Sequence, residues 1–146
     1  MKRILHPSDF SAASQPAFKQ AIELAKRDRA TLQLLHVTTP VVPLPAEGYV
    51  SPTTYNELAA AATAWARKRM DELLKRARAA GVKATSIIVH GAPADRIVRV
   101  ARAKRADLIV MGTHGRTGFS RFVLGSVASR VISTSPCPVL TVRGKS

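Results

Sequence analysis

The sequence has few aromatic residues, few acidic residues and a single cysteine. Phe, Trp and Tyr make up only 5% of its 146 residues, so the core must be built from Val, Ile, Leu and Ala. Cys137 has no second cysteine in the sequence to pair with, which excludes an intrachain disulfide framework. No apolar run approaches the roughly 18 residues of a membrane span, and the N-terminal residues are too polar for a signal peptide. We therefore expect a cytoplasmic protein with no membrane partner.

The shortage of acidic residues leaves a formal charge of +14. Such a charge favours polyanions without specifying a fold, so nucleic acid is a candidate ligand. The basic residues concentrate on two predicted helices: Arg67, Lys68, Arg69, Lys75, Arg76 and Arg78 on one, and Arg96, Arg99, Arg102 and Arg105 at every third position on the other. A solvated helix face or a surface for an acidic partner is favoured over a surface for nucleic acid. No base-stacking aromatic set accompanies the arginines, which weakens single-strand recognition in particular.

Strand-like and helix-like segments alternate along the whole chain. The predicted strands cover residues 3–7, 31–38, 82–89, 106–111 and 138–142. The predicted helices run from Ser11 or Ser14 to about Arg29, and over about residues 54–80, 94–104 and 126–134. Residues 40–52 hold four prolines and a glycine and are predicted to form an irregular surface excursion. The alternation predicts a single α/β domain over residues 1–146, with a five-stranded parallel sheet and helices on both faces.

Glycines follow the fourth predicted strand in a pattern that suits an anion. Gly112 and Gly115 stand at the strand exit, and Gly125 and Ser126 stand where the last predicted helix begins. Glycine allows close backbone approach, and a helix start presents N–H groups and the positive end of its dipole. The segment therefore predicts a two-part phosphate site. A glycine-rich turn followed by a helix cap is the alternative.

The predicted topology places a second segment beside these glycines. Ligands of open parallel sheets bind at the carboxyl ends of the strands, where the strand order reverses. The exit of the first strand, with Pro7, Ser8 and Asp9, should lie there. Asp9 could accept hydrogen bonds from a ribose, help to hold a divalent cation, or cap the following turn. Neither a P-loop nor a G-x-G-x-x-G motif is present, so a nucleotide site would have another design.

Together these residues resemble the universal stress protein family, in its single-domain ATP-binding type. The family's nucleotide signature is G-x2-G-x9-G-[ST], and it is complete here as Gly112, Gly115, Gly125 and Ser126. The segments at residues 4–11, 34–37 and 135–142 are also similar to that family. The resemblance implies a Rossmann-like sheet of the adenine nucleotide alpha-hydrolase type, with strand order 3-2-1-4-5.

The resemblance also implies a ligand and the residues that hold it. ATP, or ADP or AMP, would bind in the crevice, with the ribose and a magnesium ion meeting Asp9 beside Pro7 and Ser8. The backbone of Val37 would meet the adenine edge. The remaining implied contacts with ribose and phosphates are Met111, Gly112, His114, Gly115, Arg116, Gly125, Ser126 and Val127. A homodimer through the fifth strand, Pro138 to Val142, is implied as well, because an edge strand has unpaired backbone groups.

The leading functional prediction is an ATP-binding regulator or sensor in a stress response. A basic module for nucleic acid or an acidic partner, with a vestigial nucleotide site, is the alternative. A slow ATPase is a weaker alternative. The candidates to assist hydrolysis are His114, Arg116 and a magnesium ion near Asp9, but no Walker-type lysine is present. His6, His36, His90 and His114 all lie near strand ends, but their spacing favours separate roles over a shared metal. Cys137 is predicted to be a small core residue.

Overall fold

The computed structural model describes residues 1–39, 51–114 and 124–144, and the elements alternate along these ranges as predicted. The strands are β1 (Arg3–Pro7), β2 (Thr31–Thr38), β3 (Ala84–His90), β4 (Leu108–Gly112) and β5 (Val139–Val142). The helices are α1 (Gln15–Asp28), α2 (Pro52–Ala79), α3 (Pro93–Ala103) and α4 (Ser126–Thr134), with a 3-10 turn at Ala12–Ser14 before α1.

All the strand pairs are parallel, and the sheet order is β3-β2-β1-β4-β5, which confirms the predicted fold. Leu5 of β1 lies opposite Gln33 of β2 on one side and Ile109 of β4 on the other. The chain therefore leaves β1 towards β2 and later returns to β4 on the opposite side of β1. The carboxyl ends of β1 and β4 are neighbours at this reversal.

The sheet is buried on both faces, which explains its apolar strands. Ile4, Leu5 and His6 in β1 are fully buried. On one face, the core is built from α1 and α2 residues that include Phe18, Ala21, Met70 and Leu73. On the other face, it is built from α3 and α4 residues that include Ile97, Val100, Ala128 and Val131.

Two helix starts differ from the sequence prediction. Pro52, assigned to the irregular excursion, is the first residue of α2. Proline suits that position because its missing N–H would have no intrahelical partner there, and the Ser51 hydroxyl accepts the Thr54 N–H at 3.1 Å. Ser14 precedes α1 as predicted but does not cap it, since its hydroxyl donates to the Ser11 carbonyl at 2.7 Å. The rest of the predicted excursion, residues 40–50, lies outside the described ranges.

Other boundaries shift by one or two residues. β3 begins at Ala84 rather than residue 82, because the Val82 N–H still bonds the Ala77 carbonyl of α2. α3 ends at Ala103, so Arg105 is not part of the helical arginine series. Arg105 instead has a φ of 53° in the turn that leads to β4.

The two halves of α2 differ in their packing. The buried residues of this helix are Ala66, Met70, Leu73 and Ala77, all in its second half. In the first half, Leu58 is 52% exposed, and Trp65 at the midpoint is 46% exposed. In the part of the chain that the structure describes, no helix combines the length and apolar character needed to cross a bilayer.

Candidate functional site

The candidate site lies at the carboxyl ends of β1 and β4, and it has two walls. The β1 wall is formed by residues 7–11, which leave β1. The β4–α4 wall is formed by residues 111–114, at the exit of β4, and residues 124–128, at the start of α4. Gly115 and Arg116, both predicted to contact a nucleotide, lie outside the described residues.

The β1 wall is a turn held by its own side chains. Ser8 is buried, its N–H donates to the Leu35 carbonyl at 2.8 Å, and its hydroxyl accepts the Phe10 N–H at 3.1 Å. Asp9 Oδ1 accepts the Ser11 N–H at 3.0 Å and the Ser11 hydroxyl at 2.6 Å. Asp9 therefore stabilises the turn, one of the two roles open to it from the sequence. Its predicted role towards a ribose or a metal is compatible with this geometry, because a carboxylate has about four acceptor positions.

Phe10 gives this turn an unusual backbone. Its φ is 65°, in the left-handed region that a bulky residue rarely adopts, and its side chain is buried. The ring stacks on His36 at 4.3 Å between centroids and meets the edge of Trp65 at 5.5 Å. His36 Nδ1 donates to the Ser8 carbonyl at 2.8 Å. These contacts compensate for the strain, and no sequence motif had indicated them.

Val37 lies near the end of β2, two residues beyond the Leu35 that pairs with Pro7. Its partner on the other side is Val89 of β3, and its side chain packs on the core beneath α3 and α4. The position next to the β1 wall agrees with the adenine-edge role that the resemblance implies. A contact with adenine stays a prediction.

The β4–α4 wall depends on a close backbone approach. The Gly125 N–H donates to the Thr113 carbonyl at 2.7 Å. A Cβ at Gly125 would lie 2.8 Å from that same oxygen and 3.4 Å from His114 Cα. Gly125 therefore joins the start of α4 to the exit of β4, and its N–H is occupied rather than offered to an anion as the sequence had suggested.

The donors of this wall belong to the next residues. Ser126 and Val127 begin α4, and the N–H groups of a first helical turn have no intrahelical acceptor. The Ser126 side chain is exposed and Val127 is half-buried. Met111 is buried in the core, so its side chain supports the wall from below. This wall combines the positive end of a helix dipole with backbone donors, an arrangement that suits phosphate.

His114 is the ionisable side chain of this wall. Its Nδ1 lies 3.1 Å from the Thr113 hydroxyl. Its Nε2 is buried and has no hydrogen-bond partner among the described residues. A buried polar atom without a partner is uncommon and indicates a place for water or a ligand.

The other histidines have separate partners. His6 is fully buried, and its Nδ1 donates to the Val110 carbonyl at 2.8 Å. Burial lowers the pKa of His6 to about 4, so the ring is neutral at physiological pH. His90 Nδ1 lies 2.6 Å from the Thr38 hydroxyl. Within residues 1–39, 51–114 and 124–144, no three potential metal ligands come together.

Cys137 is half-buried beside Ser135. It packs against the core under α3 and α4, and its N–H donates to the Ser135 hydroxyl at 3.2 Å. Cys137 therefore packs at the margin of the core rather than inside it, where the sequence had placed it.

The sequence matches one protein family over nearly its whole length. The family described as "Universal stress protein family" matches residues 1–143. The chain belongs to the universal stress protein family. A curated relative, universal stress protein MJ0531 of Methanocaldococcus jannaschii, is 40% identical over 144 residues, which cover 97% of this chain and 82% of the relative. Universal stress protein MJ0577 of the same organism is 32% identical, with coverage of 99% and 96%.

Solved structures of the family share the fold. The structure of MJ0577 superposes with a TM-score of 0.85 at 34% identity, covering 99% of this chain and 97% of that one. Universal stress protein UspA from Lactobacillus plantarum gives a TM-score of 0.82 at 30% identity, with 97% of each chain covered. A universal stress protein solved in complex with cAMP gives 0.70 at 27% identity, with coverage of 99% and 98%.

Proposed function

We propose that this universal stress protein binds an adenine nucleotide between its two walls and acts as a nucleotide-dependent regulator or sensor. The observation that carries the proposal is the junction of α4 with β4. Gly125 brings the first turn of α4 against the exit of β4, beside the buried His114 Nε2, which has no hydrogen-bond partner among the described residues. The family member solved with cAMP supports the adenine class.

ATP, or ADP or AMP, is the proposed ligand. The phosphates would meet the N–H groups of Ser126 and Val127 and the Ser126 hydroxyl. Val37 would meet the adenine, and Asp9 with Pro7 and Ser8 would line the ribose. Gly115, a position of the family signature, and its neighbour Arg116 remain predicted contacts.

A magnesium ion fits the proposal only as a companion of the nucleotide. Asp9 is the carboxylate of the β1 wall, and Mg²⁺ is commonly held by one or two carboxylates together with substrate phosphates. Asp9 would thus supply one ligand. The ion would neutralise phosphate charge when it is bound.

Hydrolysis is expected to be slow. Asp9 accepts two hydrogen bonds from Ser11, and its remaining acceptor positions would be taken by the ribose or magnesium, which leaves no carboxylate in the described part of the site to orient a water at the γ-phosphate. Binding of ground-state phosphates does not by itself accelerate their transfer. Turnover well below about 1 per second would agree with a sensor, and faster turnover that disappears in His114→Ala would identify an ATPase.

The test of nucleotide binding adds a negative charge to the phosphate subsite. Ser126→Asp should preserve the fold, because an acidic residue in a first helical turn is stabilising by about 0.3–1 kcal/mol. The same carboxylate should repel phosphate and weaken ATP binding about tenfold or more. Isothermal titration calorimetry with ATP, ADP, AMP and cAMP measures the effect and orders the ligands.

Ser133→Asp is the matched control, since it makes the same charge change in an exposed residue two turns further along α4. It should bind ATP with nearly wild-type affinity. Equal weakening in both variants, or none in Ser126→Asp, would remove α4 from the proposed site.

A homodimer through β5 is the second part of the proposal. β5 is an edge of the sheet, and Leu140 on it is 37% exposed. Unpaired edge groups with exposed apolar side chains favour pairing with a second copy. Leu140→Lys should give a monomeric mass in light scattering, whereas Ile132→Lys, at an apolar position of α4 that is at least as exposed, should not. A monomeric wild-type protein at micromolar concentration would contradict the dimer.

A further inference from the structure

The basic residues are distributed unevenly between the two helix layers. In the α1–α2 layer, acidic residues are interspersed, as in the contacts Arg27–Asp28 at 2.7 Å and Arg69–Glu72 at 3.2 Å. The layer on the other face, residues 93–106 and 124–135, carries six basic residues: Arg96, Arg99, Arg102, Lys104, Arg105 and Arg130. Asp95 is its only acidic residue.

Asp95 forms an ion pair with one of these basic residues. Arg130 of α4 lies 3.3 Å from Asp95 of α3, and both side chains are mostly exposed. Arg99 and Arg102 stand four and seven residues after Asp95, on the same side of α3. Arg99, Arg102 and Arg130 therefore lie along the junction of α3 and α4, and we call them the arginine surface. All three are exposed.

The side chains of the arginine surface favour phosphate groups as its ligand. Guanidinium groups match phosphate oxygens with two parallel hydrogen bonds. Successive side chains on α3 are offset by about 4.5 Å along the axis, so separate phosphates can be contacted. The exposed hydroxyl of Ser129 on α4 adds a donor of the kind that contacts nucleic-acid backbones. The one carboxylate already faces Arg130 and adds little repulsion.

The same surface disfavours single strands. Single-strand binding normally combines basic residues with aromatic platforms on which bases stack. The described residues of α3 and α4 include no aromatic side chain. We propose that the arginine surface binds the phosphate backbone of a nucleic-acid duplex without reading its sequence. This role does not depend on the proposed nucleotide site.

Salt dependence of duplex binding tests the proposal. A short labelled DNA duplex of mixed sequence is titrated with the full chain by fluorescence anisotropy, between about 50 and 200 mM salt. The slope of log K against log salt changes by about 0.9 for each phosphate that the protein no longer neutralises. The variant Arg99→Gln/Arg102→Gln/Arg130→Gln should give a slope shallower by about 2 to 3 and weaker binding at low salt.

A matched control separates a surface from bulk charge. Lys19→Gln/Lys26→Gln/Lys75→Gln removes the same charge from exposed positions of α1 and α2. It should keep nearly the wild-type slope. Equal reduction of the slope in both variants, no duplex binding at low salt, or tighter binding of a single strand of the same length would overturn the proposal. Displacement of the duplex by polyglutamate at equal charge concentration would also overturn it, by identifying an acidic protein as the partner.

Discussion

The two walls of the candidate site are built on opposite principles. The β1 wall is closed on itself, because Ser8 and Asp9 accept hydrogen bonds from the backbone of their own turn. The β4–α4 wall is open, because Gly125 brings in a helix whose first N–H groups have no intrahelical acceptor. The β1 wall therefore fixes the shape of the site, and the β4–α4 wall offers hydrogen-bond donors to a ligand. Substitutions in the two walls should separate stability from affinity.

The largest expected effect is a loss of stability at acidic pH, and it concerns His6 of β1. The bond from His6 to Val110 of β4 links the two strands from which the walls extend. The pKa of His6 is about 4 in the fold, below its ordinary value of 6.5. As the pH falls, His6 is therefore protonated in the unfolded chain before it is protonated in the folded one. The contribution of His6 to the free energy of unfolding is fully present above pH 6.5 and decreases as the pH drops towards 4. The loss of stability attributable to His6 should be about 3 kcal/mol.

Urea denaturation at a series of pH values measures this loss. His6→Gln cannot titrate, so its stability should vary much less across the same interval. An equally steep decline in that variant would assign the acid sensitivity to other groups.

The next effect breaks the open wall. Gly125→Ala places a methyl group 2.8 Å from the Thr113 oxygen, closer than real contacts allow. The methyl group should push the start of α4 away from β4. This should lower the free energy of unfolding by about 1–3 kcal/mol and abolish measurable ATP binding. Gly112→Ala is the control for stability alone, since its Cβ would meet backbone only at 3.3 Å and the cost should be smaller. Thermal unfolding measures stability and calorimetry measures ATP binding. Equal destabilisation by the two substitutions would contradict the close-approach argument.

A smaller effect sharpens the contrast between the two serines. Ser8→Ala removes the acceptor of the Phe10 N–H in a buried turn and should cost about 1–2 kcal/mol. Ser126→Ala, at an exposed position, should change stability by less than about 0.5 kcal/mol while weakening ATP binding. The expected pattern is therefore opposite in the two walls. If Ser126→Ala were the more destabilising variant, the division into a shape-fixing and a donating wall would be wrong.

The smallest change in stability is expected for Asp9→Asn. The amide oxygen can still accept from Ser11, so the free energy of unfolding should change by less than about 0.5 kcal/mol. Loss of the negative charge should reduce the gain in ATP affinity that magnesium provides. Titrations with and without magnesium measure this gain. An unchanged gain would limit Asp9 to its role in the turn.

Regular periodicity made the fold predictable from the sequence, whereas long-range contacts in the site were not. The strands and helices follow from apolar segments separated by glycine and proline, whereas the order of the sheet was implied by the resemblance to the universal stress protein family. The sequence also placed Asp9 and Gly125 in the site, but it did not show that the Gly125 N–H bonds to Thr113. It gave no sign that Phe10 adopts a positive φ. Nor did it predict that Gly144 lies against Ala13, where a Cβ would be 2.6 Å from a carbonyl oxygen. Such contacts depend on folding of the whole chain.

The position of Trp65 gives the molecule an optical property. It is the single tryptophan of the sequence, and its indole meets the ring of Phe10, which directly follows Asp9. Its emission therefore arises from one location, at the back of the β1 wall. Because Trp65 is 46% exposed, quenchers in solution can reach it. Ligand-induced displacement of the β1 wall would be visible in the intrinsic fluorescence of the unlabelled protein.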